Sequence, residues 1–522
     1  VVENLPVSYS IIALLLPSIL HKIEVTMIAE TLRTTILAPV GINVESLPLV
    51  IRALTASSAH GIENYQRLEY LGDCMLKLIS SLHVMADKLT WPESYLTGKK
   101  GKIVSNGFLA RATLAAGLDK FVITKRFTGA KWSPRYAADA LAATAPLRSN
   151  KSSKLIADVV ESLIGVGYVV GGLPKAFACV QTLLPLEKWT PVPKAITTLY
   201  QAAPKGPQVT NFAVLEPLIG YTFTKKMLLL EALTHASYTG PNARCSYERL
   251  EFLGDAVLDY IISTRLYAYD PPLPHQTMHA VRTAMANAAF LTFSMFETTA
   301  PEETVNKSTL QPEVQQRALW QFLRSENAQL VSIREVALQQ HREVREALLH
   351  ALRHDKEFPW HLFALVDAPK FLSDIVESVI GAIYIDSQGD FSACEVFLRR
   401  LGILDSLEHI LRNEVDCLHP KERLGHLAVE RSVQYVRSQD SQRGVGGMDK
   451  VYGMYRCQVK VGGEDVGGVV EGLKKLNAET VAAWRANKIL RAQADVVMDD
   501  DEGDEDVFVD AVEGGGVLID DW

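Results

Sequence analysis

The sequence predicts a mostly α protein: two tandem all-helical domains, then a small α+β domain and a disordered acidic tail. Three observations carry this. The stretch Tyr65-Gln-Arg-Leu-Glu-Tyr-Leu-Gly-Asp73 returns as Tyr247-Glu-Arg-Leu-Glu-Phe-Leu-Gly-Asp255, so the chain holds an internal repeat. Each copy opens an apolar run at helical spacing, with Leu68, Leu71, Met75 and Ile79 in the first and Leu250, Leu253, Val257 and Ile261 in the second. Beyond about His419 the period changes, and Val451–Val461 alternates as a strand does before Gly462-Gly463 breaks it.

Taken in order, residues 1–45 carry Leu14-Leu-Leu-Pro-Ser-Ile-Leu20 and read as a connector helix, ended by Pro39 and Gly41. Residues 46–186 form the first repeat, without alternating strands. Its lysine cluster, Gly98-Lys-Lys-Gly-Lys102, is either a phosphate-contacting loop or a soluble turn. Pro191, Pro193, Pro204 and Pro207 mark 187–210 as a linker. The second repeat, 211–412, starts near Phe212 and matches the first from Ala232-Leu-Thr-His235 against Ala53-Leu-Thr-Ala56. Its two carboxylate pairs stand 123 residues apart against 89 in the first, and the 34 extra residues fall in a polar, helical insertion near 297–354. Within 415–492, Leu424–Val436 reads as a helix, the alternating run as strand, and Leu473–Leu490 as a helix opened by Lys474 and Lys475, an αβα order. Residues 493–522, rich in Asp, Glu and Gly, read as a disordered tail.

The chemistry resides in the acids. Glu69 and Asp73 stand four apart, as do Glu251 and Asp255, so each pair projects from one helix face. Lys154-Leu-Ile-Ala-Asp158-Val-Val-Glu161-Ser162 and Lys370-Phe-Leu-Ser-Asp374-Ile-Val-Glu377-Ser378 add a second pair to each half, on the polar side of a largely apolar helix. An unpaired acid on a buried helix is costly, so such acids are rarely idle. Four carboxylates in one pocket suit Mg²⁺ or Mn²⁺ and not zinc. A lone Glu-x-x-x-Asp is more often a solvated helix face. Here both pairs recur in the same order and the same Leu-Gly-Asp and Glu-Ser contexts, which favours a metal site in each half.

At 522 residues the chain is too long for one core, and with 48% hydrophobic residues it is an ordinary globular composition. The net charge of −8 argues at first against nucleic acid, but 12 acids and no Lys or Arg lie from Asp495 onward, which leaves residues 1–494 at +4. Six scattered cysteines without a Cys-x-x-Cys pair give neither a zinc nor a disulfide framework and point to a reducing compartment. The run Ile11–Leu16 is too short to span a membrane and is stopped by Pro17, so no membrane partner is expected. The chain starts at Val1 without methionine or signal peptide, which reads as a fragment or processed piece, with the cytoplasm expected and the nucleus as the alternative.

The duplicated Tyr-x-Arg-Leu-Glu-x-Leu-Gly-Asp motif, each copy followed by Asp-x-x-Glu-Ser, resembles the signature of ribonuclease III domains. Two in tandem resemble the Dicer and Drosha class. Lys77 in the first copy and Asp259 in the second are similar to the first and second nuclease domains of Dicer-like proteins. The last domain resembles a double-stranded-RNA-binding domain. Over roughly residues 46–490 the chain is similar to the C-terminal portion of a fungal-type Dicer-like protein. The resemblance implies that Glu69, Asp73, Asp158 and Glu161, and likewise Glu251, Asp255, Asp374 and Glu377, are catalytic and metal-binding acids. In the family, Mg²⁺ (or Mn²⁺) held by such acids activates a water against a phosphodiester, leaving a 5′-phosphate and a 3′-hydroxyl. Two metals about 3.5–4 Å apart clamp both reacting oxygens of such a displacement. The two domains would form an intramolecular pseudo-dimer, each cutting one strand of double-stranded RNA to leave short 3′ overhangs. The protein would act as a monomer in RNA-mediated silencing and antiviral defence. Lys154 and Lys370 either offset phosphate charge or form i,i+4 ion pairs, and Lys474 and Lys475 would meet phosphates.

The chain also departs from the pattern. Gln66 stands where the second copy has Glu248, which removes one auxiliary acid. Gly472-Leu-Lys-Lys-Leu-Asn477 is a loose version of the lysine helix of RNA-binding domains, so RNA binding and protein docking both stay open for the last domain. The competing reading of the whole is a catalytically silent duplex-RNA-binding scaffold. Against it, all eight positions retain Asp or Glu.

Overall fold

The computed structural model describes residues 7–59, 63–129, 132, 152–204, 214–240, 246–305, 311–366, 368–428, 431–439 and 454–501. Two compact units emerge: residues 1–358 with 368–417, and residues 359–367 with 418–522.

The first unit holds both repeats. Helix α1 (Val7–Thr34) precedes α2 (Leu47–Leu54), α3 (Gln66–Asp87), α4 (Glu93–Ile103), α5 (Asn106–Ala116) and α6 (Ser153–Leu183). Pro17 does not stop α1; the helix runs through it, so the expected short apolar run is part of 28 helical residues. Tyr9–Thr34 is long and apolar enough to cross a membrane by length and composition. Ser153–Leu183 passes the same test as a core helix, so the criterion alone assigns no span. Helix α6 breaks at Gly171-Gly172, where Gly172 takes φ +64°, a conformation that favours glycine. The lysine cluster expected as a loop or turn lies inside α4 instead.

The stretch expected as a linker contains α7 (Val192–Ala202), with Val192, Ala195, Ile196 and Leu199 buried. Pro191 and Pro193 start this helix instead of breaking the chain. Proline fits a helix's first turn, where an N–H has no intrahelical partner to lose. Pro207 and the expected start near Phe212 lie outside the described residues. The second repeat then runs α8 (Leu215–Ile219), α9 (Lys226–Ala232), α10 (Glu248–Ala268), α11 (His275–Met285) and α12 (Ala288–Glu297).

The insertion is only partly helical. It opens with an antiparallel hairpin, β1 (Thr299–Val305) with β2 (Pro312–Ala318), in register Thr299↔Ala318 to Val305↔Pro312. Thr299, Thr304, Val305 and Val314 favour extended backbone, and Arg317 pairs with Glu302 across the strands at 2.6 Å. The helical expectation describes α13 (Ala328–His354), which His341 and Arg345 tie to Glu297 at 2.9 and 2.7 Å. Helices α15 (Lys370–Asp386), α16 (Phe391–Arg400) and α17 (Ile403–Arg412) complete the unit, and α14 (Trp360–Phe363) belongs to the second.

That second unit adds α18 (Pro420–Leu427), β3 (Val433–Gln439), β4 (Tyr455–Val461), β5 (Glu464–Gly472) and α19 (Lys475–Asp501). The sheet is antiparallel in the order β3-β4-β5, so the order is αβββα and not αβα. Val433–Val436, expected as the end of a helix, is strand because it pairs with β4. Gly462 and Gly463, at φ +63° and +92°, turn β4 into β5 as a two-residue hairpin requires. Val459, Val461 and Val470 from the sheet close on Ala482, Ala483 and Ala486 of α19. Helix α19 passes the expected tail start at 493, and the rest of that tail, 502–522, lies outside the described residues. Five cysteines are free and buried, and Cys245 lies outside the described residues.

Candidate metal centres

Each acid site is made where two helices cross at glycines. A Cβ on Gly72 of α3 would fall 1.6 Å from the Glu161 carbonyl oxygen of α6, and one on Gly165 would fall 2.2 Å from that of Leu68. The second copy repeats this. Gly254 of α10 would meet Glu377 O at 1.7 Å, and Gly381 of α15 would meet Leu250 O at 2.2 Å. The glycines therefore let the backbones touch one residue from Asp73 and Asp255, which is how acids 89 and 123 residues apart become neighbours. Ser162 and Ser378 fix the second helix by donating to the carbonyls of Ala53 and Ala232, each at 2.8 Å.

Three acids of each quartet meet. Ligand oxygens of Glu69, Asp158 and Glu161 lie within 4.8 Å of one another, as do those of Glu251, Asp374 and Glu377. Asp73 and Asp255 lie outside these trios and turn to cations. Arg282 Nη1 is 3.7 Å from Asp73, and Lys77 Nζ is 2.9 Å from Asp255. Both remain within electrostatic reach, since Asp73 and Asp255 are the acids acting most strongly on Glu161 and Glu377. Tyr65 donates to Asp158 at 3.0 Å and Tyr247 to Asp374 at 3.3 Å, which orients the two aspartates.

Burial, and then the neighbouring carboxylates, push Glu161 and Glu377 each up to about 9 and Glu69 up to about 7. Such acids cannot all ionise together without a counter-charge. The donor set is hard oxygen throughout, which fits a divalent cation of the Mg²⁺ type. Lys370 supplies one counter-charge, donating to Glu251 at 2.7 Å and to Asp374 at 3.0 Å. Lys154 is exposed in the first turn of α6. Lys474 and Lys475 are exposed at the start of α19, in the other unit.

Helices α3 and α10 pack on each other, and equivalent residues make the contacts. Arg67 donates to Tyr267 O at 3.1 Å, and Arg249, its repeat equivalent, donates to Lys88 O at 3.2 Å. The Tyr168 and Tyr260 hydroxyls meet at 2.8 Å. Sequence reasoning missed the roles of Tyr65, Arg67, Gly72, Gly165 and Ser162 and of their counterparts. The signal was available, because all five are identical in both copies.

Two ribonuclease III domain matches cover residues 66–172 and 248–388, and residues 413–520 match a family described as the double-stranded-RNA-binding domain of Dicer-like protein 2. The chain is 61% identical over its full length to Dicer-like protein 2 of Phaeosphaeria nodorum, of which it covers 37%. It is 41% identical to Dicer-like protein 2 of Coccidioides immitis and 36% identical to that of Cryphonectria parasitica, over 94% of the chain and 34% and 35% of those proteins. The chain belongs to the Dicer-like family. It spans about a third of the length of the curated relatives it matches. The family assignment puts both acid trios within the Dicer-like chain's two ribonuclease III matches.

Proposed function

We propose that this Dicer-like chain is a double-strand-specific endoribonuclease whose two acid sites each cut one strand, giving short duplexes with 5′-phosphates and 3′ overhangs for RNA silencing. The observation that carries the reading is the pair of matched carboxylate trios within one compact unit. Glu69, Asp73, Asp158 and Glu161 would hold one set of ions and Glu251, Asp255, Asp374 and Glu377 the other, with Mg²⁺ the ion and Mn²⁺ its substitute. When bound, the ions supply Lewis-acid chemistry: a more acidic water and charge neutralisation at the phosphate. The protein's part is to hold the acids. Tyr65 and Tyr247 orient the aspartates, and the glycine crossings set the spacing between the paired helices.

The domains pair within the chain, so a monomer suffices. Duplex RNA is recognised by shape, 2′-hydroxyls and phosphates, so little sequence preference is expected. Lys474, Lys475 and Lys154 are exposed and would meet phosphates. Lys370, already on two acids, would act from within the second site.

The test uses duplex RNA end-labelled on either strand, with Mg²⁺ or EDTA. Cleavage should require Mg²⁺; Glu161→Gln and Glu377→Gln should each spare one strand, and the double variant should cut neither. A double variant that still cuts both strands sinks the assignment.

A further inference from the structure

Helices α4 and α11 occupy the same place in the two repeats, and their eighth residues are Lys100 and Arg282. Each points its cation into the other domain. The Arg282 guanidinium lies 5.0 Å from the centroid of the Tyr70 ring and 3.7 Å from Asp73. The Lys100 ammonium lies 4.3 Å from the centroid of the Phe252 ring, and Asp255 is the acid acting on it most strongly. Tyr70 and Phe252 hold the same position of the duplicated motif, directly after Glu69 and Glu251. Two repeat-equivalent cations thus lie on two repeat-equivalent rings of the opposite domain, crosswise.

One residue breaks the symmetry. Lys77 of α3 adds a direct bond to Asp255 and a 2.5 Å bond to Asp259 of α10. Asp259, which stands where the first copy has Lys77, is also the acid acting most strongly on Arg282. Ion pairs thus cross between the domains at both sites, Arg282 with Asp73 and Lys77 with Asp255 and Asp259. The side chains of Arg282 and Lys77 are only 19% and 25% exposed, so their charges need these partners.

We infer that each acid site is completed by a cation from the opposite domain, with Arg282 a positioning residue for Asp73 and Lys77 for Asp255. A ligating carboxylate is oriented by the partner that holds its other lone pairs. Here that partner comes from the neighbouring domain, so an unpaired domain has an incomplete site. The strand-resolved part of the test rests on the proposed cleavage; the metal-binding part does not.

The experiment uses the full chain. Mn²⁺ binding without RNA is followed by electron paramagnetic resonance in a Glu377→Gln background, where the first site remains, and in a Glu161→Gln background, where the second remains. Arg282→Met in the former and Lys77→Met in the latter should each raise the half-saturating Mn²⁺ roughly tenfold. Unchanged or tighter binding means the cation only competes with the ion, and overturns the inference.

On labelled duplex, Arg282→Met should slow the strand assigned to the first site about tenfold and leave the other within about twofold, and Lys77→Met should do the reverse. Loss confined to the strand of the variant's own domain overturns the inference. Should a methionine variant lose both strands, Arg282→Lys decides: recovery of the first-site strand supports positioning, and no recovery overturns it. A wild-type chain that cuts no RNA fails the proposed function, while the Mn²⁺ measurement still decides this inference.

Discussion

In the second nuclease domain Lys370 reaches across to Glu251 and down to Asp374, bridging two helices of the acid site. In the first domain Lys154 holds the same place in the repeat, yet among the described residues it forms no ion pair with Glu69 or Asp158. Glu69 is accordingly pushed up to about 7 by burial and by Asp158, with Lys154 opposing only through space. At Glu251 the Lys370 hydrogen bond is the chief force opposing burial. The repeat has kept its acids and changed its counter-charge. Before an ion arrives, Glu161 and Glu377 both favour a proton, and the second site has a bonded lysine besides.

The strongest challenge to this comparison is steric. Gly72→Ala and Gly254→Ala would each drive a Cβ into a carbonyl oxygen at 1.6 and 1.7 Å. Each should destabilise by about 3 kcal/mol or more, at the upper end for overpacking, and spread its acid site; thermal melting with Mn²⁺ titration measures both. Equal damage is expected in the two domains, and tolerance in one would show that the crossings are not equivalent.

Next comes pH. The carboxyls of Glu69, Glu161 and Glu377 bind protons more tightly folded than unfolded, at about 7, 9 and 9. Their contribution to metal-free stability is therefore full below the unfolded value of about 4.5 and is lost as pH rises through the folded values. Ion binding releases those protons, so affinity should strengthen with pH by up to tenfold per unit for each proton, on the order expected from linkage. Between about pH 6 and 8 the first site, where Glu69 titrates, should show the steeper slope. Mn²⁺ titrations of Glu161→Gln and Glu377→Gln compare the sites one at a time, and equal slopes would erase the distinction.

Lys370→Met should then make the second site resemble the first, steepening its pH slope severalfold across the same range, on the order of one further proton released. Lys154→Met should change the first site less. The smallest effects are expected from Ser162→Ala and Ser378→Ala, which leave the Ala53 and Ala232 carbonyls without a donor. Chemical denaturation should register about 1–2 kcal/mol for each.

Much of this was legible in the chain. Helical spacing located α3 and α10, and the duplication turned eight ordinary-looking acids into two sets. Local patterns failed where context decides. Pro191 and Pro193 punctuate a loop as readily as they start a helix, and only the burial of Ile196 and Leu199 distinguishes α7 from a linker. Val433–Val436 carries no alternation strong enough to name a strand until β4 lies beside it. The lysines of 98–102 looked alike in sequence, yet Lys99 pairs with Glu187 while Lys100 turns to the opposite domain.

By itself the sequence determined the acids, their order and their repetition, because covalent spacing and helical period set which side chains share a face. Tertiary structure alone decided that three acids of each set close into a trio while the fourth turns to a cation of the other domain. The reason is that charge is compensated through space. Arg282 lies more than 200 residues from Asp73 along the chain, and nothing in local spacing records that it stands 3.7 Å away.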